Sequence, residues 1–475
     1  MSDALIAAQR KCIALERDAE KLETEDLHDT VAPAELQRRG VALVKLHVTA
    51  VETALFGRAL LTLQLTMARP LPPTKLTPGA MVFMRPSTAL AGAAATGTVT
   101  SVRENLIKVS FEEMPEEEQL AEPLVLALSY SDVTYRRIEF ALAALAADKP
   151  PPHAAPMCAM LLQSAEQAAG RRPPVSAAPL AVERLYNPNL NEGQRVAVAF
   201  ALECPEPVAL IHGPPGTGKT TAVVELIRQA VRRGQRVLAT AASNVAVDNM
   251  AERLLHGSGK AVKIVRVGHP ARLLPSVMGA ALDARLATSD GAAIVRDVKK
   301  DIDAARLAMR GARSKGVRAG LQGEVSKLRK ELKAREQKSV VDLLTAAQVV
   351  LCTNTGAQDR ALRALPPEHA FDVVVIDEAA QALEAACWVP LLRGRRAVLA
   401  GDHRQLPPVV KSAEAAAQGF GVTLFERLLR DHGDGIGVML TTQYRMHASI
   451  CDWASAELYV CSSAAEACGE VLPAV

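Results

Sequence analysis

No two cysteines in this sequence stand in a C-x-x-C pair, although eight occur: Cys12, Cys158, Cys204, Cys352, Cys387, Cys451, Cys461 and Cys468. That spacing argues against a zinc site and points to the reduced interior of a cell. No uncharged apolar run approaches the length of a membrane span, and the opening residues, with Lys, Arg and Asp near the start, lack a signal-peptide core. No membrane partner is expected, and the cytoplasm and/or nucleus is the expected compartment. An excess of one charge is missing too. Fifty-five basic against 52 acidic residues leave a net +3, which excludes a bulk polycation, so any nucleic-acid site must be a local patch. What remains, 475 residues that are 49% hydrophobic and 23% charged, describes a globular protein of roughly two to four domains.

The most informative stretch is Ile211 to Thr221, IHGPPGTGKTT. An apolar run, Val208 to Ile211, leads into a glycine-rich turn. The pattern G-x-x-x-x-G-K-[ST] is then filled by Gly213, Pro214, Pro215, Gly216, Thr217, Gly218, Lys219 and Thr220. Gly216 and Gly218 permit backbone conformations that a Cβ forbids, so successive N–H groups can turn toward phosphate oxygens. A helix starting near Lys219 adds the positive end of its dipole. Lys219 is placed to reach the β- and γ-phosphates, and the Thr220 hydroxyl to ligate Mg²⁺. The rival reading is a plain glycine turn between a strand and a helix. Upstream, Gln194 is either a surface glutamine or, given this loop, a reader of the adenine edge.

Before the loop, residues 4–24 and 33–39 read as helices, and the region from Val41 to about Val133 as short strands forming a small β-barrel. Val133 opens a helix to Leu145. Proline-rich linkers follow at 149–156 and around 171–174. The expected domains are N-terminal helices at 1–40, the barrel module with its stalk helix at 41–148, a linker at 149–185, a RecA-like domain at 186–440, and a stub at 441–475. After the loop, strands and helices alternate as in a parallel α/β sheet. The strand Phe371–Ile376 ends in Asp377-Glu378, an acidic pair suited to hold Mg²⁺ (Asp377) and to polarise water (Glu378). The strand Ala397–Ala400 delivers Gln405, suited to sense a γ-phosphate; a plain polar loop is the alternative. His403 and the other histidines are scattered and form no ligand set. An insertion at about 283–345 reads as helical, with a glycine-containing break near 311–323. From Arg296 to Lys338 it carries 14 basic and 6 acidic residues, either a solvated helical face or a nucleic-acid contact.

GPPGTGKTT, ATAASNVAVDNMAERL, VGHPARLL, VVLCTNTGA, VVVIDEAAQALE, GDHRQLPPVV and QYRMH, with GVALVKLHV and SDVTYRRI near the front, together resemble the superfamily 1 helicases of the up-frameshift type. The resemblance covers residues 10 to 459 and implies an α/β, RecA-like P-loop NTPase sheet carrying an inserted β-barrel and a helical insertion. It implies an ATP- and Mg²⁺-dependent motor that moves 5′ to 3′ along single-stranded RNA or DNA and acts as a monomer. A ribosome or ribonucleoprotein is a further candidate partner. By position, Gln194 matches the adenine-reading glutamine, Gln405 the γ-phosphate sensor, Tyr444 the adenine-stacking aromatic and Arg445 an arginine finger. Lys219, Thr220, Asp377 and Glu378 match the phosphate, metal and catalytic residues. Ser243, Asn244, Thr353 and Thr355 fall in motifs that touch the nucleic-acid backbone. QYRMH opens the family's second RecA-like domain, of which only a stub is expected in this chain, from a gene model that stops early or a shortened product. Two other readings stay open: a nucleic-acid-binding module that binds ATP without unwinding, and a P-loop switch acting on a protein partner.

Overall fold

Two sheets of opposite character organise the chain. The fold is that of a computed structural model, which describes residues 2–459 and 472–473 except 55–57, 88–94, 113–114, 116–119, 121–122, 130–131, 148, 164–177, 182–184, 258–260, 290 and 312–313. The linker read around 171–174 lies outside the described residues. Among them, no helix is long and apolar enough to cross a membrane.

The first sheet is a closed antiparallel barrel of β1 (Ala42–Thr53), β2 (Ala59–Leu65), β3 (Met81–Pro86), β4 (Ala95–Arg103), β5 (Leu106–Phe111) and β6 (Leu124–Leu128), in the order β1-β2-β5-β4-β3-β6. Alternation along the strands turns Leu61, Leu63, Val82, Met84, Ile107, Val109, Leu124 and Leu126 inward to fill it, and closure removes the exposed edges that short strands would otherwise present.

The helix α1 (Ser2–Thr30) is longer than residues 4–24, the short α2 (Pro33–Arg38) follows it, and α3 (Val133–Ala146) is the stalk that leaves the barrel. Tyr135 donates to Glu20 at 2.6 Å and Arg17 pairs with Glu139 at 3.0 Å, joining α1 to α3. Glu16, buried, accepts from the backbone N–H of Lys411 and of Ser412, each at 2.8 Å, which fastens α1 to the far end of the chain. Inside the segment read as a linker, α4 (Ala155–Leu161) folds as a helix with Met157 and Leu161 fully buried. Pro156, in the first turn, needs no helical N–H partner there, so the proline-rich composition starts a helix where it suggested only coil.

The second sheet is parallel, in the order β13-β7-β12-β11-β8-β10-β9. Its strands are β7 (Val208–His212), β8 (Val237–Ala241), β9 (Ile264–Arg266), β10 (Val349–Thr353), β11 (Phe371–Asp377), β12 (Gly394–Gly401) and β13 (Gly437–Met439). Nearly continuous apolar strands fit a sheet buried on both faces, and its two faces carry separate hydrophobic cores. The helix α5 (Glu192–Glu203) leads into β7, while α6 (Lys219–Arg232) and α7 (Asn244–His256) are crossover connections from β7 to β8 and from β8 to β9. The molecule is therefore an α/β fold with a RecA-like sheet and an inserted barrel.

The helical insertion forms a hairpin of α8 (Ala292–Gly311) and α9 (Lys315–Ala346), joined by Val298, Ile302 and Ala305 against Val325 and Leu332. The expected break near 311–323 is much shorter. Gly316, Gly320 and Gly323 lie inside α9, where each costs about 1 kcal/mol against alanine, a cost that packing of the hairpin offsets.

Candidate active site

The strand β7 is fully buried up to Ile211, and the chain then turns through Gly213–Gly218 into α6. Gly216 and Gly218 have φ of +77° and +74°, the left-handed region that glycine enters without steric cost. A Cβ on Gly218 would come within 2.5 Å of Gln194 Nε2. The Thr217 hydroxyl, fully buried, donates to Pro214 O at 2.8 Å and closes the loop on itself.

Beyond the loop, β11 and β12 end on the same edge of the sheet as β7. Lys219 Nζ lies 2.9 Å from Glu378 Oε2, and the Thr220 hydroxyl donates to Asp377 Oδ2 at 3.2 Å. Two residue pairs, their members 159 and 157 positions apart in sequence, thus meet at the mouth of the glycine loop. Glu378 takes a left-handed conformation, φ +52° and ψ +40°, a strained choice for a residue with a Cβ and one that concentrates at functional sites. Burial pushes the Asp377 carboxyl up to about 6, with Lys219 pulling it down and Glu378 pushing it further up. A buried carboxylate, a hydroxyl and an ammonium group form a donor set suited to a hard divalent cation and a phosphate chain.

Around Gln194, matched in sequence to an adenine reader, the structure shows a capped helix end packed on the loop. Gln194 is 5% exposed and already engaged. Its Oε1 accepts from Asn191 N at 3.1 Å and its Nε2 donates to Thr217 O at 2.9 Å, so it caps α5 and ties that helix to the loop, with one N–H and one lone pair left over. Asn191, which the motif reading passed over, accepts from Gln194 N and donates to the Tyr444 hydroxyl at 2.8 Å. The pattern N-x-x-Q before an apolar run was its signal. Tyr444, 58% exposed, donates its backbone N–H to Gly216 O at 2.9 Å. Arg445 stands against the loop so closely that a Cβ on Gly216 would lie 2.7 Å from its own. Gln443, also unforeseen, makes that turn: its Oε1 accepts from Arg445 N and Met446 N, and its Nε2 donates to Met446 O.

Gln405 donates to Asp402 Oδ2 at 2.6 Å. Asp402 is a buried hub that also accepts from the Tyr459 hydroxyl at 2.7 Å and meets His212 Nε2 at 3.0 Å. Burial opposes its charge, yet the hydrogen bonds from His212, Tyr459 and Gln405 together hold the carboxyl well below the usual carboxylate range. The histidines read as scattered do converge here: His212, Asp402 and His403 bring one ligand-type atom each within 4.8 Å of one another. His212 lies 190 positions before Asp402 in sequence, and the side-by-side pairing of β7 with β12 brings it to the adjacent Asp402 and His403.

Of the residues matched to nucleic-acid contact, Asn244, Thr353 and Thr355 line one cavity of about 300 Å³ between the barrel and the sheet, which Arg58, Arg137 and Arg272 also line. Asn244 Oδ1 accepts from the fully buried Arg266, itself paired with Asp248 at 2.7 Å. The Thr353 hydroxyl accepts from Gly356 N, and Thr355 O accepts from Arg137. Ser243 is exposed and caps α7 by accepting from Ala246 N at 3.2 Å.

A parallel sheet, a glycine loop opening onto a helix and an acidic pair at a nearby strand end define the class: a P-loop nucleotide-binding fold of RecA type. Models of known families match the chain over residues 189–413 and 420–467, each described as an AAA domain, and over 6–128, described as the 1B domain of helicase SMUBP-2/HCS1. DNA-binding protein SMUBP-2 of Mus musculus is 43% identical over 466 residues, 96% of this chain and 45% of that protein. DNA polymerase alpha-associated DNA helicase A of Schizosaccharomyces pombe is 33% identical over 89% of this chain and 63% of its own. ATP-dependent helicase upf1 of the same yeast is 35% identical over 57% of this chain and 28% of its own. The chain belongs to the up-frameshift-type superfamily 1 helicases. It spans about half the length of the mouse relative.

Proposed function

We propose that this chain binds ATP with Mg²⁺ at the glycine loop and hydrolyses it to move along single-stranded RNA or DNA in the 5′-to-3′ direction. The observation that carries the reading is the meeting of Lys219 with Glu378 and of Thr220 with Asp377 at the loop mouth. Thr220 and Asp377 would hold Mg²⁺, which supplies charge neutralisation at the β- and γ-phosphates when bound. Lys219, drawn to the phosphate oxygens, leaves Glu378 free. Glu378 then accepts a proton from the water whose oxygen attacks the γ-phosphorus while the bond to the β-phosphate oxygen breaks. Gln405 orients that water, Tyr444 stacks on the base, Gln194 offers its remaining amide valences to the adenine edge, and Arg445 stabilises charge on the transferred group. Ser243, Asn244, Thr353 and Thr355 grip the sugar-phosphate backbone without reading bases.

The test is ATP hydrolysis with and without single-stranded oligonucleotides, joined to strand displacement from duplexes with a 5′ or a 3′ tail. Stimulated hydrolysis with displacement from 5′ tails supports the proposal. Nucleotide binding with no turnover under either condition would reduce the chain to an ATP-binding nucleic-acid module.

A further inference from the structure

Behind the phosphate loop, two imidazoles and one carboxylate face each other in a way the ATPase reading does not require. His212 ends β7, the strand that feeds the loop, and Asp402-His403 follow β12, its parallel neighbour. His212 Nε2 is 3.0 Å from Asp402 Oδ1, and a ring nitrogen of His403 completes a triangle with no side above 4.8 Å. The His212 and His403 ring centroids are 5.2 Å apart. His403 Nδ1 is buried and has no hydrogen-bond partner.

We propose that His212, Asp402 and His403 form a binding site for a transition-metal dication of the zinc type, separate from the Mg²⁺ ligands Thr220 and Asp377. Two imidazoles with one carboxylate are a donor set for zinc-like ions, whereas magnesium prefers an all-oxygen shell. Metal–ligand bonds of about 2.0–2.1 Å at tetrahedral angles place neighbouring donor atoms roughly 3.3 Å apart. The His212–Asp402 pair needs to open by only a few tenths of an ångström, and His403 to swing inward. The ion replaces the hydrogen bond between His212 Nε2 and Asp402 Oδ1, and the metal-bound neutral ring carries its single N–H hydrogen on Nδ1. Asp402 Oδ2 stays with Gln405 and Tyr459, hydrogen bonds that orient the carboxylate for the ion as such outer partners orient metal ligands in general. His403 is partly exposed, which leaves solvent a way in and a fourth position for water. Occupancy would clamp the strand bearing the phosphate loop to the loop bearing Gln405.

Titration of the EDTA-treated full chain with Co²⁺, without nucleotide, tests this. The proposal expects visible d–d absorption of a tetrahedral site saturating at one equivalent, bleached by Zn²⁺, with no thiolate-to-cobalt band. His403→Ala should weaken binding at least about tenfold. His403→Cys should retain one equivalent and gain a thiolate-to-cobalt band, an appearance that a merely misfolded variant cannot produce. Absence of saturable binding, a thiolate band in the unaltered chain, or equal affinity in His403→Ala would overturn the proposal.

Discussion

Lys219 Nζ and Glu378 Oε2 stand 2.9 Å apart, the lysine side chain 8% exposed and the glutamate 27%. Under the proposed function, a phosphate chain bound at the loop would have to draw Lys219 away from Glu378. Lys219→Ala removes the charge facing the phosphates and should weaken ATP binding by about 2–3 kcal/mol, roughly 30- to 150-fold. Titration with a fluorescent ATP analogue measures it, and unchanged affinity would dismiss the assignment of the loop.

Asp377 carries a cost of its own. Its carboxyl, raised to about 6 by burial, holds its proton more tightly when folded than when unfolded. The ionised form therefore destabilises the fold above pH 6, and that cost is relieved as pH falls through 6 toward 4. Asp377→Asn should raise stability by about 1–2 kcal/mol at pH 8, with the gain fading by pH 4.5, while Mg²⁺-dependent nucleotide binding is lost. Thermal melts across pH read the first effect. A variant less stable than the parent at pH 8 would show that burial is not the dominant influence on this group.

On α9, Lys327, Arg329, Lys330 and Lys333 reach toward solvent. If they bind a single strand, reversing their charges should flatten the slope of log K against log salt by roughly 0.7 for each phosphate no longer neutralised. An unaltered slope assigns the hairpin to a solvated face.

Gly320 and Gly323 in the same helix have open space where a side-chain methyl would stand, with no neighbouring atom within 4 Å. Alanine at each should stabilise the hairpin by about 0.5–1 kcal/mol through lower backbone entropy in the unfolded chain. Hydrogen exchange of α9 amides reports it, and faster exchange would show that the helix needs glycine there.

What the sequence made legible was local. The strand, glycine loop and helix from Val208 to Arg232 are neighbours in the chain, and the positive φ of Gly216 and Gly218 is one that residue type permits. The apolar strand before Asp377-Glu378 was equally plain. Long-range contacts were not: Asp402 meets His212 across 190 positions and Tyr459 across 57, and no periodicity announces such a meeting. Glu225 shows the same limit. It lies on α6 among apolar neighbours, yet is 1% exposed because the backbone N–H groups of Tyr186 and Asn187 satisfy it at 3.0 Å. Glycines misled in α9, where hairpin packing overrode their helix propensity.

In the proposed function, Glu378 drives hydrolysis at a site that Lys219, Thr220 and Asp377 assemble. The most direct test compares the parent chain with Glu378→Gln in the presence of single-stranded RNA or DNA, measuring nucleotide affinity and steady-state hydrolysis side by side. The amide keeps the shape but accepts no proton, so kcat should fall about 10²- to 10⁴-fold while ATP affinity stays within about threefold. Hydrolysis by Glu378→Gln at the parent rate would contradict the account.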